Sequence, residues 1–365
     1  MAMAVIAVAT VTACSGGSEA PASPSAGGGE LEDLIAAAQA EGELTFYGDA
    51  NETSLQKWTQ GFTEEYGISV NILRLPGSEL NQRFAQEMSA GQFQADVFSI
   101  ADRVSMQAAV DQGWIAEYEP ENGSLYPAEQ LVAGYFYPVQ NGYFQTVAYN
   151  PTLLSADEIE LIREDPIKAA GDPVFEGRVG VNMPQSSQQA AAFYYRYAEG
   201  DASDEYGWEA LEAIADNKPL FYSSATLVQN LIAGEYAVAV ALTDSLAAPQ
   251  ALQGAPLEFV YPKDTTGGYF ATGVVEDAPH PNAARLFMEW ATTPDANALY
   301  TEITQTVPAN SDVTDDRELL SFDWYAEPDV ANVWFDFIDD ADFLDASSAD
   351  GDFLSRWSEV FGYSG

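Results

Sequence analysis

The sequence predicts an α/β protein built as two lobes, and three observations carry that prediction. At 365 residues the chain is longer than one hydrophobic core ordinarily organises, and 47% of it is apolar, enough to fill two. From Leu31 onward the apolar residues alternate between a helical period of about 3.6 and a strand period of about 2, with short connections between the runs. The single cysteine, Cys14, excludes an internal disulfide framework, so packing alone must hold both lobes.

The amino-terminal segment stands apart from these layers. Met1 to Ala13 is a short apolar run ending in Val11-Thr12-Ala13-Cys14, well below the ~20 apolar residues that cross a bilayer. It reads as an export signal over residues 1–13, and the small residues before the cysteine resemble a bacterial or archaeal lipobox, which implies lipidation of Cys14. No Lys or Arg precedes the apolar run, a departure that fits a translation start upstream of Met1. Ser15 to Glu30 is almost wholly Ser, Gly, Pro, Ala and Glu, so residues 14–30 read as a lipidated flexible tether. A multiply acylated cysteine anchors stably where one chain holds only marginally.

The layers then follow in order. Leu31 to Ala40 is expected as a helix and Leu44 to Tyr47 as the first strand. After a Gly48-Asp49-Ala50-Asn51 turn, Asn51 can cap the helix that carries Leu55, Trp58 and Phe62 on one face. Ile68 to Leu73 alternates as a strand, Leu80 to Met88 is helical, and Ala95 to Ile100 is a strand again. Phe144 to Tyr149 is assigned to the crossing between lobes. The second lobe then contains the strands Arg178 to Met183 and Tyr236 to Leu242, with helices over Ser187 to Glu199, Trp208 to Ala215 and Ser224 to Ala233. Leu257 to Tyr261 and a Gly267-Gly268 turn are read as the return crossing. Two helices from Pro281, broken near Pro294, and an acidic, aromatic tail from Phe322 to Trp357 are expected to rejoin the first lobe. The lobes therefore divide as 31–145 for the first, 146–262 for the second, and 263–365 for the rest of the first with its C-terminal helices.

Charge narrows the partners. Against 57 acidic residues stand 13 basic ones, a formal charge of −44, which repels nucleic-acid phosphates and anionic lipid surfaces alike. Such a carboxylate excess suits a chain that stays hydrated in salty surroundings.

Several stretches together resemble the extracellular solute-binding proteins of ferric-ion and related small-molecule importers, a subgroup of type II periplasmic binding proteins. They are Ala38 to Gly48 (AQAEGELTFYG), Arg74 to Glu87 (RLPGSELNQRFAQE), Ala95 to Phe98 (ADVF), Val147 to Pro151 (VAYNP), Phe175 to Val181 (FEGRVGV), Ala233 to Val240 (AGEYAVAV) and Ala278 to Trp290 (APHPNAARLFMEW). The resemblance implies a two-lobed type II periplasmic binding protein-like fold with crossing strands and ligand held in the cleft. It further implies a monomer, exported and held at the cell surface or in the periplasm, that delivers a small molecule or ion to an ABC transporter permease.

The family's iron binders use a His, a carboxylate and an adjacent pair of tyrosines. By motif these positions fall at Asn51, Ala101 and Asp244-Ser245, all departures, which disfavours iron by that ligand set. A one-residue shift would bring Glu52 and Asp102 into the first-lobe positions. Tyr194-Tyr195 has helical spacing with Phe193 and Tyr197 and reads as core. Asn51, Glu52, Asp102 and Asp244 therefore form a candidate ring facing Ser186, Ser187 and Ser224, whose positions before helices also suit ordinary N-capping. Carboxylates suit thiamine, a polyamine or an oxygen-ligated metal ion. Helix ends suit a phosphonate, phosphate ester or carboxylate, and a ligand bearing both charges would satisfy both sides.

No enzyme motif competes. There is no Gly-x-Ser-x-Gly elbow, zinc pattern or phosphate-binding loop ending in Lys, and the only histidine, His280, sits before a helix in an expected exposed capping role. No cofactor is implied. A receptor feeding a membrane signalling protein would need the same lobes and differ only in its partner surface; a secreted hydrolase is a more distant alternative.

Overall fold

The computed structural model describes residues 28–364 apart from 336, 338, 339, 349 and 350. Cys14, the export signal and all of the tether up to residue 27 lie outside the described residues. Among those described, no helix is long and apolar enough to cross a membrane.

The first lobe starts with helix α1 (Gly28–Glu41), strand β1 (Glu43–Gly48), α2 (Glu52–Tyr66), β2 (Ser69–Arg74), α3 (Gly77–Ser89), β3 (Val97–Ile100) and α4 (Arg103–Asp111). Helix α2 starts where Asn51 predicts, its Oδ1 accepting from Ser54 N at 3.0 Å, and it stops at Gly67, which takes the left-handed conformation at φ 73°. After β4 (Gly142–Tyr149) the second lobe contains α5 (Ala156–Glu164), α6 (Pro166–Ala170), β5 (Val179–Asn182), α7 (Gln188–Ala198), α8 (Gly207–Asp216), β6 (Leu220–Tyr222), α9 (Ser224–Ala233), β7 (Val238–Thr243), α10 (Asp244–Leu252), β8 (Glu258–Val260) and β9 (Gly267–Tyr269). The chain returns through β10 (Ala271–Val274), α11 (Pro281–Ala291) and α12 (Pro294–Thr304), and ends with α13 (Ala341–Ala346) and α14 (Phe353–Phe361).

Two mixed sheets organise these elements. One runs β10-β3-β1-β2, with β1, β2 and β3 parallel and β10 antiparallel to β3. The other runs β6-β5-β7-β4-β8, and β9 pairs antiparallel with β4. Each sheet is covered on both faces, as parallel strands require. In the first lobe Trp58 and Phe62 of α2 pack on Phe287 and Trp290 of α11 on one side, while Leu80 and Phe84 of α3 meet Phe98 and Met106 on the other. In the second lobe α7 and α8 cover one face and α9 and α10 the opposite one.

The crossings and the tail differ from the sequence reading. All of β4 belongs to the second sheet, so the first crossing precedes it at residues 140–141; β8 is likewise a sheet strand, and the return crossing is at Phe270 between β9 and β10. Gly267-Gly268 is part of strand β9, not a turn. The tail does not rejoin the first lobe. Phe343, Phe353 and Trp357 are wholly buried against α7 and α8 of the second, and Phe322, Trp324 and Tyr325 pack beside Leu227, Val228 and Phe259. The reason lies in α7, whose residues 190–198 are all buried. A helix buried all round needs a second cover beyond its sheet, and the aromatic tail supplies it. Tyr194 and Tyr195 point into this interface, Tyr194 against Trp357 and Tyr195 against Phe343 and Phe353.

Candidate functional site

Strand carboxyl ends and helix amino ends of both lobes converge on one cleft of about 450 Å³. This is where an open α/β sheet offers unpaired N–H groups to a ligand. The first lobe contributes Asp49 to Glu52 after β1, Arg74, Pro76 and Gly77 between β2 and α3, and Ala101 after β3. The second contributes Ser186, Ser187 and Gln189 before and in α7, Ser223 to Ala225 at the start of α9, and Thr243, Ser245 and Leu246 around the start of α10. Tyr143 and Phe270, one beside each crossing, line the hinge side.

Of the residues expected from sequence, Asn51, Glu52, Ser186, Ser187 and Ser224 thus lie together on the cleft. Asp102 and Asp244 do not line it. Asp102 caps α4, its Oδ1 accepting from Val104 N at 3.0 Å and Ser105 N at 3.2 Å. Asp244 is buried behind the cleft, where Oδ1 accepts from Phe144 N (2.9 Å) and Ser245 N (2.7 Å) and Oδ2 from the Tyr261 hydroxyl (3.1 Å). Both carboxylates were expected to face the ligand; instead backbone N–H groups at helix starts and, for Asp244, one in β4 claim them first. Desolvation still raises the Asp244 carboxyl to about 7, against the lowering effect of those bonds.

Sequence reasoning passed over two charged residues of the cleft. Asp49, partly exposed at the end of β1, accepts from Ala101 N with both oxygens at 3.2 Å and has no cation within ion-pair distance among the described residues. Desolvation lifts its carboxyl to about 7, with the Ala101 bond and the more distant Arg74 charge opposing that rise. Arg74, exposed at the end of β2, donates to the Ala50 and Asp49 carbonyls at 3.3 Å and likewise makes no contact ion pair among the described residues. One signal was available: a cation at a strand end, in a chain with so few, is worth suspecting as a site residue.

The helix ends differ in what is left over. α2 and α7 are capped by Asn51 and Ser187, the latter accepting from Ala190 N at 3.2 Å, whereas α3 and α9 have no side-chain cap. Their first N–H groups are therefore free to meet an anionic oxygen. Ser224 Oγ accepts from the buried Asn182 Nδ2 at 2.9 Å, which fixes its hydroxyl. Beside the hinge, Gln189 Nε2 donates to the Tyr143 hydroxyl at 3.0 Å, linking α7 to β4 next to the crossing. His280 lies outside the cleft. It stands at the N-cap position of α11, but its ring caps nothing; Nδ1 is 2.9 Å from Asp96 Oδ2, and the side chain is one-quarter exposed. Among the described residues no three His, Cys, Asp or Glu side chains gather as a metal-binding group.

The chain belongs to the bacterial extracellular solute-binding protein family, whose model matches residues 47–298. These proteins capture solutes and are not enzymes. A relative, the Fe(3+)-binding periplasmic protein of Serratia marcescens, is 24% identical over 278 residues, spanning 70% of this chain and 75% of its own. Among solved structures, the periplasmic binding protein AfuA of Actinobacillus pleuropneumoniae, with exogenous fructose-6-phosphate bound, superposes with a TM-score of 0.65 at 18% identity, over 88% of this chain and 99% of its own. An ABC-transporter substrate-binding protein of Agrobacterium tumefaciens gives 0.66 at 14% identity over 88% and 96%, and iron-bound HitA of Pseudomonas aeruginosa 0.63 at 16% over 88% and 98%. The shared fold is that of periplasmic binding proteins.

Proposed function

We propose that this protein is a receptor lipidated at Cys14 that captures a small phosphorylated solute outside the cell and hands it to the permease of an ABC importer. The observation that carries the ligand class is the cleft itself, which Arg74, without a carboxylate partner among the described residues, lines together with the uncapped starts of α3 and α9. A phosphoryl group would satisfy both the guanidinium and the free N–H groups. The hydroxyls of Ser186, Ser187, Ser224 and Ser245, with Asn51 and Glu52, are its proposed polar contacts, while Asp102 and Asp244 hold the backbone that presents them. AfuA, seen with a sugar phosphate, supports this reading. The iron of the Serratia relative is not carried over, because the motif positions for its ligands hold Asn51, Ala101, Asp244 and Ser245. The lobes close over the ligand about the crossings at 140–141 and Phe270, and ligand favours the closed form only by its higher affinity for it.

A native mass spectrum of residues 31–365, purified without added ligand, tests the class. A phosphorylated organic mass, lost in Arg74→Ala, is the expected result; an iron increment would overturn it. The anchor has a separate check in cells. Cys14→Ser should leave the precursor unprocessed or release the protein into the soluble fraction, and continued processing with membrane retention would refute lipidation.

A further inference from the structure

Asp49 and Arg74 present opposite charges to one cleft without pairing with each other. The guanidinium spends its bonds on the Ala50 and Asp49 carbonyls, and among the described residues no side-chain donor reaches the Asp49 carboxylate, which accepts from the Ala101 N–H. A Cβ at Gly77 would come within 2.9 Å of Asp49 Oδ2, so the start of α3 lies close to the acid. An anion seated on Arg74 and α3 would therefore face a second negative charge beside it. Such a cleft repels a bare phosphate unless the ligand itself brings a donor to the carboxylate.

We propose that Asp49 is a specificity-determining residue that accepts a hydrogen bond from a hydroxyl or amine carried next to the ligand's phosphoryl group, so that the protein rejects phosphorylated solutes without such a donor. This rests on the phosphorylated-solute reading above and adds to it the chemistry of the ligand's other end. Selection here works by a penalty as much as by a contact. Without the donor, an acceptor-only group is left facing an anion, and that loss exceeds the value of the bond itself.

Isothermal titration at about pH 8, where the carboxylate is ionised, would compare glycerol 3-phosphate with propyl phosphate, and 2-aminoethylphosphonate with ethylphosphonate. The donor-bearing member of at least one pair should bind about 10-fold or more tighter to the native protein. Asp49→Asn should collapse that ratio, weakening the donor probe and strengthening the donor-free one, with thermal unfolding confirming an intact fold. A merely structural role for Asp49 would weaken both probes alike and leave the ratio unchanged, which would overturn the assignment. If the native protein binds both members of each pair equally, the assignment fails while the phosphoryl reading survives. If it binds none of the four, the phosphoryl reading fails and takes the assignment with it. The identity of the preferred pair tells hydroxyl from amine.

Discussion

Among the described residues, Asp49 and Asp244 are carboxyls that the protein holds up to about 7, in both cases chiefly by desolvation. The sign of the consequence follows from linkage. A carboxyl raised in the folded state binds its proton more tightly there than in the unfolded chain, so its contribution to stability falls as pH rises from the unfolded value near 4 through about 7. Asp49→Asn should therefore flatten the decline in melting temperature between about pH 5 and 8; an unchanged slope would place the Asp49 titration elsewhere. Asp244→Ala has a different cost, because it strips the acceptor from Phe144 N and Ser245 N together. A loss of about 1–3 kcal/mol is expected in denaturant unfolding. Glu158 behaves oppositely: bonds from the Ser155 backbone and from Arg178 hold its carboxyl down to about 2, so its stabilising share is present above the ordinary carboxylate range and is lost in acid.

At the scale of elements, the ends matter more than the middles. Strand β7 skips a residue against β4: Thr146 pairs with Leu242 and Val147 with Val240, leaving Ala241 as the extra residue of a bulge at φ 60°. The bulge turns the end of β7 so that Thr243 and Ser245 reach the cleft, at the expense of a left-handed alanine. Ala241→Gly should be neutral or stabilising by up to ~1 kcal/mol, and Ala241→Val clearly destabilising; thermal melts of the two variants decide it. Helix α5 begins with a full capping box, Ser155 and Glu158 satisfying each other's N–H groups. Beyond α12, Arg317 is wholly buried and ties Asp315, the Gln305 carbonyl and Tyr325 together where the chain leaves for the tail. Removing the guanidinium would leave Asp315 and the carbonyl without their donor.

Across the whole molecule two forces stand out. The aromatic tail completes the second lobe's core, so Trp357→Ala, at a wholly buried position stacked on Phe361 and against Tyr194, should cost about 3–5 kcal/mol. Had the tail packed on the first lobe, the same variant would spare the second lobe's unfolding, which domain-resolved hydrogen exchange can read. The charge of −44 opposes compaction everywhere at once. Raising salt from about 0.1 to 1 M should lift the melting temperature as the Debye length shrinks from about 10 Å to 3 Å. A melting temperature indifferent to salt would mean that the carboxylates are already spaced beyond mutual repulsion.

What the sequence determined by itself was the periodic and the local: the α/β alternation, the strands around Leu44, Ile68 and Val238, the capping of α2 by Asn51 and of α7 by Ser187, and the motifs that mark the family. These are legible because side-chain period and cap chemistry act over a few neighbouring residues. Serines at helix starts reached the cleft for the same reason, since the start of a helix behind a strand already has a fixed place in an open sheet. Tertiary structure alone decided which carboxylates are spoken for. Asp102 and Asp244 are held by N–H groups of their own helices or a distant strand, while Asp49, two residues before the expected Asn51, is left facing the cleft with Arg74 from a neighbouring strand. It also decided where the tail goes, because an aromatic stripe states only that it needs a cover, and which lobe supplies one depends on the face that α7 leaves open.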